Sequence, residues 1–206
     1  MPCRYSPPQR MDNQYTLLFA SNNSHKADEI RQVLPSRYHL LGLRDIHWTS
    51  DIPEPYDSFE ENAKAKVSLV FKESGLPCFA DDSGLEVDAL DGRPGVLSAR
   101  YAGEQNNSVK NITKVLHELG SEALRTARFV AVIAYQPNAQ EVHIFKGQVE
   151  GAIAYHPTGS GGFGYDPIFI PSGFDKTFGE LSPLVKNLIS HRALAMRKFL
   201  DFLSSQ

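Results

Sequence analysis

Cysteine is nearly absent from this chain of 206 residues: Cys3 and Cys78 are the two it has. No disulfide framework can be built from that pair, so a reducing compartment, the cytoplasm, is expected. Long apolar runs are missing as well. No stretch approaches the roughly 18 residues of a membrane-spanning helix, and mean hydropathy is −0.31. Charge of one sign is scarce, with 21 Lys and Arg against 24 Asp and Glu and a net charge of −3. That balance excludes a protein that follows a nucleic-acid backbone by bulk charge, although a few local cations suffice for a small phosphorylated molecule. The glycine-rich P-loop spacing does not occur, which rejects a P-loop NTPase. The seven histidines show no zinc-ligand spacing. Acyl-transfer nucleophile patterns are lacking in any convincing context. Residues 1–15 contain three prolines and no apolar core, so they read as a disordered extension rather than a secretory signal.

What remains is the composition of one globular domain over residues 16–206, with 41% hydrophobic and 22% charged residues. A chain of that length buries roughly 70% of its unfolded surface. Thr16–Ala20 predicts a buried strand, and the polar turn Ser21-Asn22-Asn23-Ser24-His25-Lys26 leads into a helix that Pro35 stops. A second helix is signed by the S-x-x-E box of Ser58 and Glu61 and by Gly75 at its end. Pro77–Ala80 predicts a strand that finishes in the turn-like Asp81-Asp82-Ser83-Gly84. A third helix opens at Ser108, and Thr126–Tyr135 with Glu141–Ile153 predicts an antiparallel pair. The last helix starts at Ser182-Pro183, with a stripe of Val185, Leu188, Ile189, Met196, Phe199, Leu200 and Leu203. Helices interleaved with strands predict an α/β fold with a mixed sheet.

Several segments could carry chemistry. The carboxylates of Asp81 and Asp82 can supply hard oxygen ligands for Mg²⁺, or one ligand and one base, or they can simply form a solvated turn. Ser21–Lys26 is either a phosphate cradle at a helix start or an ordinary capped loop. In Gly159–Asp166 four glycines surround Phe163 and Tyr165, which suits close backbone approach and stacking of a base. Lys186, His191 and Arg192 place three cations on one helix. At about 100° per residue, Lys186 and His191 would diverge by roughly 140° on an ideal helix. Glu54 and Lys66 read as ordinary surface charges by sequence alone.

Five ordered blocks, SNNSHKADEI, SFEENAKAK, FADDSGLEVDALDGRPGVLSARYAG, GGFGYDPIF and ELSPLVKNLISHRALA, resemble the inosine triphosphate pyrophosphatase (Ham1-like) family over nearly the whole chain. The resemblance implies a long mixed, twisted sheet flanked by helices, with two lobes around a central nucleotide-binding cleft, usually in a homodimer. It implies Mg²⁺-dependent hydrolysis of ITP, dITP and XTP to the monophosphate and pyrophosphate. By matching position, Asp82 would be the catalytic base, and Glu54 and Asp82 would hold the metal. Ser21, Asn22, Asn23, Ser24, His25, Lys26 and Lys66 would contact the triphosphate, and Ser83 the substrate. Phe163, Gly164, Tyr165, Asp166, Lys186, His191 and Arg192 would form the nucleotide and base pocket. The family usually has Thr-Gly-Asn where this chain has Ser21-Asn22-Asn23, so Asn22 would add a side chain beside the phosphates. A Maf-like pyrophosphatase of other nucleotides and a nucleotide-binding sensor without catalysis are the competing readings. The complete Ser-His-Arg block and the joint presence of Lys26, Glu54, Lys66 and Asp82 speak against them.

Overall fold

The computed structural model describes residues 15–105 and 107–205. All but the last residue of the expected N-terminal extension lie outside that range, and Tyr15 instead opens the first strand. In chain order the elements are β1 (Tyr15–Phe19), α1 (Ser24–Val33), β2 (Tyr38–Gly42), α2 (Phe59–Ser74), β3 (Cys78–Val87), α3 (Ser108–Leu119), β4 (Thr126–Gln136), β5 (His143–Ile153), β6 (Phe169–Pro171), α4 (Pro183–Ile189) and α5 (His191–Ser204). The described strands form one six-stranded sheet in the order β2-β1-β3-β4-β5-β6. It is mixed: β1 runs parallel to β2 and to β3, whereas β5 and β6 are antiparallel. The α/β expectation holds.

Local signals explain most helix ends. Ser58 Oγ accepts from Glu61 N–H at 3.2 Å, and Gly75 takes the left-handed φ of 69° that closes α2. A glycine there avoids the strain that a Cβ would bring. Strand β2 was not legible, because Tyr38–Gly42 is a short segment defined by its register against Tyr15–Phe19.

The chain divides into two compact units, residues 15–81 with 133–145, and residues 82–132 with 146–205. The first has a core that includes Leu18, Ile30, Val67, Val70 and the stacked rings of Phe19 and Phe79, 5.0 Å apart. Cys78 lies in it, and burial pushes its thiol up to about 12, so the sulfur stays protonated and inert. In the second unit Phe129, Phe169 and Phe178 form an aromatic cluster, joined by Leu85, Ile112, Val115 and Tyr165. Among the described residues no helix is long and apolar enough to cross a membrane.

Candidate active site

In the first unit the polar turn after β1 becomes the N-terminus of α1. Asn23 is its cap, accepting the Lys26 N–H on Oδ1 at 3.1 Å, and Ser21 Oγ accepts from Asn23 N–H at 3.2 Å. Such caps leave other first-turn donors open to an anion. Asn22, Ser24 and His25 are exposed along this turn. Among the described residues, non-glycine positive φ occurs at His47 and Asp91. Asn22 therefore adopts ordinary backbone, and its place where the family carries glycine costs no left-handed strain.

Two lysines turn inward beneath this loop. Lys26 Nζ lies 3.0 Å from Asp81 Oδ1, and that carboxylate is fully buried. Lys66, on the buried stripe of α2 with Ala63, Val67 and Val70, is 5% exposed. Its ammonium reaches Glu54 Oε1 at 2.5 Å and the Asp81 carbonyl at 3.2 Å. Neither Lys66 nor Glu54 is the plain surface charge that sequence logic made of them. The signal was present for Lys66, whose position falls in phase with the apolar stripe. Glu54 is held indirectly: Asn62, fully buried, accepts the Tyr56 N–H at 3.0 Å and donates to the Tyr56 carbonyl at 2.9 Å. That clip fixes the Pro-rich loop two residues from Glu54.

The sharpest departure from expectation is at Asp81–Gly84. It is the middle of strand β3, which continues to Val87, and not a turn at a strand end. Asp81 is 0% and Asp82 6% exposed. Burial of two consecutive carboxylates is costly unless charge or hydrogen bonds compensate. The Asp81 carboxylate answers with Lys26, and its backbone carbonyl accepts from Lys66. Chain continuity then sets Asp82 and Ser83 at the start of the second unit.

In that unit Ser83 Oγ accepts from the Arg192 guanidinium at 3.0 Å. The glycine-rich loop folds back on itself, because Asp166 Oδ2 accepts the Phe163 N–H at 2.7 Å. Gly162 is required there. Its φ is +71°, and an added Cβ would lie 2.0 Å from Asp166 Oδ2. Lys186, 7% exposed, meets the same Asp166 oxygen at 2.6 Å. Its ammonium stands 5.0 Å from the centre of the half-buried Phe163 ring, and the Arg192 guanidinium 5.6 Å. Phe163, Asp166, Lys186, Ser83 and Arg192 thus form one cluster.

Two expectations about this region need correcting. Tyr165 sits in the core, 4% exposed, with its hydroxyl donated to the Ser98 carbonyl at 2.9 Å. Burial raises its phenol pKa, so the group remains a donor, and a supporting contact replaces a face offered to a ligand. The single last helix is in fact two. Ser190, in extended conformation, ends α4 and caps α5, its Oγ accepting the Ala193 N–H at 3.3 Å. The roughly 140° divergence expected of a continuous helix therefore does not apply. On α4 the buried residue is Lys186, while Leu188 of the expected stripe is 65% exposed.

His191 opens α5 and is itself 5% exposed, its ring stacked on Phe129 at 4.7 Å and 9°. Gly147 on β5 makes this approach possible, since a Cβ there would fall 2.0 Å from the His191 carbonyl and 2.5 Å from the Ala195 nitrogen. Replacing Gly147 with Ala is expected to push the start of α5 away from the strand. The overpacking should cost about 1–3 kcal/mol, a Tm lower by roughly 2–12 °C in a domain of this size. Calorimetry showing an unchanged Tm would mean that the turn yields freely.

Comparisons with known proteins give the family and the fold. The family model described as the Ham1 family matches residues 17–202. A dITP/XTP pyrophosphatase of Porphyromonas gingivalis is 50% identical over 188 residues, 91% of this chain and 96% of that protein. The solved Ham1 protein of Staphylococcus aureus superposes with a TM-score of 0.85 at 42% identity, covering 93% of this chain and 99% of its own. A HAM1 protein from Coxiella burnetii gives a TM-score of 0.86 at 38% identity, with the same coverage.

Proposed function

The chain belongs to the Ham1 family, and from that premise we propose that it hydrolyses the non-canonical purine nucleotides dITP, XTP and ITP to the monophosphate and pyrophosphate. The observation that carries the reading is the pair of consecutive buried carboxylates inside β3, with Lys26 paired to the first of them and Lys66 bridging from that residue's backbone carbonyl to Glu54. Phosphoryl chemistry depends mainly on alignment and charge neutralisation, and these lysines with the exposed Asn22, Ser24 and His25 suit a polyphosphate. Asp82 is the general base, taking a proton from the attacking water.

Glu54 and Asp82 are hard oxygen donors, and two carboxylates are what Mg²⁺ ordinarily takes from a protein when phosphates complete its shell. When bound, Mg²⁺ supplies charge neutralisation and makes a water easier to deprotonate. The protein's own part is to hold the two carboxylates in place, Glu54 through Lys66 and Asn62, Asp82 through its strand.

In the second unit Phe163 offers a stacking face, with Lys186 and Arg192 beside it. Donors from His191 and Arg192 suit the 6-keto oxygen of hypoxanthine or xanthine. An exocyclic amine at that position would leave donor against donor, which disfavours ATP. The reading includes a homodimer in the cytoplasm with small-molecule nucleotides as partners, supported by the family resemblance.

Its test is incubation with ITP, dITP, XTP, dTTP, ATP and GTP plus Mg²⁺, the products resolved by ion exchange. Monophosphate and pyrophosphate from the inosine and xanthosine nucleotides alone are expected. Orthophosphate released from the γ position would overturn the proposal.

A further inference from the structure

Within the second unit, two segments that bear site residues are joined through a residue that belongs to neither. Ser98 lies in the 3₁₀ segment Gly95–Arg100 and is 8% exposed. Its hydroxyl is fully used: Oγ accepts the Leu85 N–H at 2.9 Å and donates to the Gly95 carbonyl at 2.6 Å. Leu85 follows Ser83 by two residues in β3. The Ser98 carbonyl accepts the Tyr165 hydroxyl at 2.9 Å and the Asn111 amide at 3.2 Å. Tyr165 directly precedes Asp166, the acceptor for Phe163 and Lys186. Asn111, 3% exposed, also donates to the Ala99 carbonyl at 3.3 Å, which ties the 3₁₀ segment to α3.

We propose that Ser98 is a positioning residue for the hydrolysis, the node that keeps the β3 segment of Asp82 and Ser83 in register with the loop of Phe163 and Asp166. The proposal rests on the functional reading above. Its physical basis is that both linking bonds, Leu85 N–H to Ser98 Oγ and Tyr165 hydroxyl to the Ser98 carbonyl, are buried, so each resists displacement. Small displacements of a reacting group are costly in rate, whereas displacement of a base-stacking loop weakens binding. The two halves of the node should therefore separate kinetically. The hydroxyl side bears on kcat and the carbonyl side on KM.

Two variants test this. With ITP and Mg²⁺, well below either variant's Tm, Ser98→Ala is expected to lower kcat about tenfold with KM within about twofold of wild type. Tyr165→Phe keeps the ring but loses the bond to Ser98. It should raise KM about fivefold and leave kcat within about twofold. Amide hydrogen exchange should rise over residues 83–85 in Ser98→Ala and over residues 159–166 in Tyr165→Phe, while α3 keeps its protection in both. Wild-type kcat and KM in both variants, or faster exchange confined to residues 95–98, would overturn the positioning role. If the wild-type protein does not hydrolyse ITP or XTP, the functional reading fails. The exchange experiment still decides the coupling.

Discussion

Asp82→Asn is expected to cut pyrophosphate release from ITP and XTP by roughly 10³-fold or more while leaving the fold intact. A positioned general base typically contributes about 10²–10⁴-fold, and a carboxylate that also serves as a metal ligand adds to that loss. Asparagine matches aspartate in shape, so the packing around β3 has no reason to change. The backbone of a strand does not depend on the side-chain charge. Asp82 is 6% exposed, and the amide occupies the volume of the carboxylate and keeps an acceptor oxygen. Tm should therefore stay close to that of the wild type. Steady-state assays across a range of Mg²⁺ concentrations, paired with calorimetry, make the check. Near-wild-type turnover would strip Asp82 of its role, and a collapsed Tm would make it a structural residue.

The second large effect is expected at Lys186→Met. Both members of the Lys186–Asp166 pair are buried, 9% and 3% exposed at the side chain, with a separation of 2.6 Å. Removing the ammonium leaves the Asp166 carboxylate in the interior without the Lys186 charge, while the Phe163 N–H still donates to it. Breaking a buried pair from one side costs about 3–5 kcal/mol, mostly because the surviving charge stays desolvated. At this size that is a fall of roughly 6–20 °C in Tm. Adding Asp166→Asn removes the orphaned charge and keeps an acceptor for Phe163 N–H, so the double variant should recover most of the lost stability. Both variants lack the nearer of the two cations beside the Phe163 ring, so both should bind ITP about tenfold more weakly, a loss of about 1.4 kcal/mol. A double variant no more stable than the single one would show that Lys186 acts by filling volume and not by charge.

These two residues differ in how visible they were. Asp82 could be singled out from the block FADDSGLEVDALDGRPG, but its setting could not. Asp, Ser and Gly are turn residues by local preference, and β3 overrides that preference because pairing in the sheet holds its backbone extended and Lys26 compensates for the buried Asp81 charge. Lys186 stood one position off the apolar stripe assigned to a single long helix. The break at Ser190 rotates that phase, burying the lysine and exposing Leu188. Ser190-His191 carries no glycine or proline to announce a break. The cap hydrogen bond to Ala193 and the seat of α5 against Gly147 are what hold it.

The sequence by itself determined the family, the α/β class, the stop of α1, both ends of α2 and the start of α4. Caps, stop residues and apolar periodicity act over a few neighbouring positions, and five long motif blocks leave little room for coincidence. Tertiary structure alone decided which charges are buried and with whom. The partnerships Lys26–Asp81, Lys66–Glu54, Lys186–Asp166, Arg192–Ser83 and Tyr165–Ser98 join residues between 12 and 109 positions apart. No local propensity encodes a contact at such separation. It exists because chain segments meet in the fold, and desolvation there makes each unpaired polar group too costly to leave.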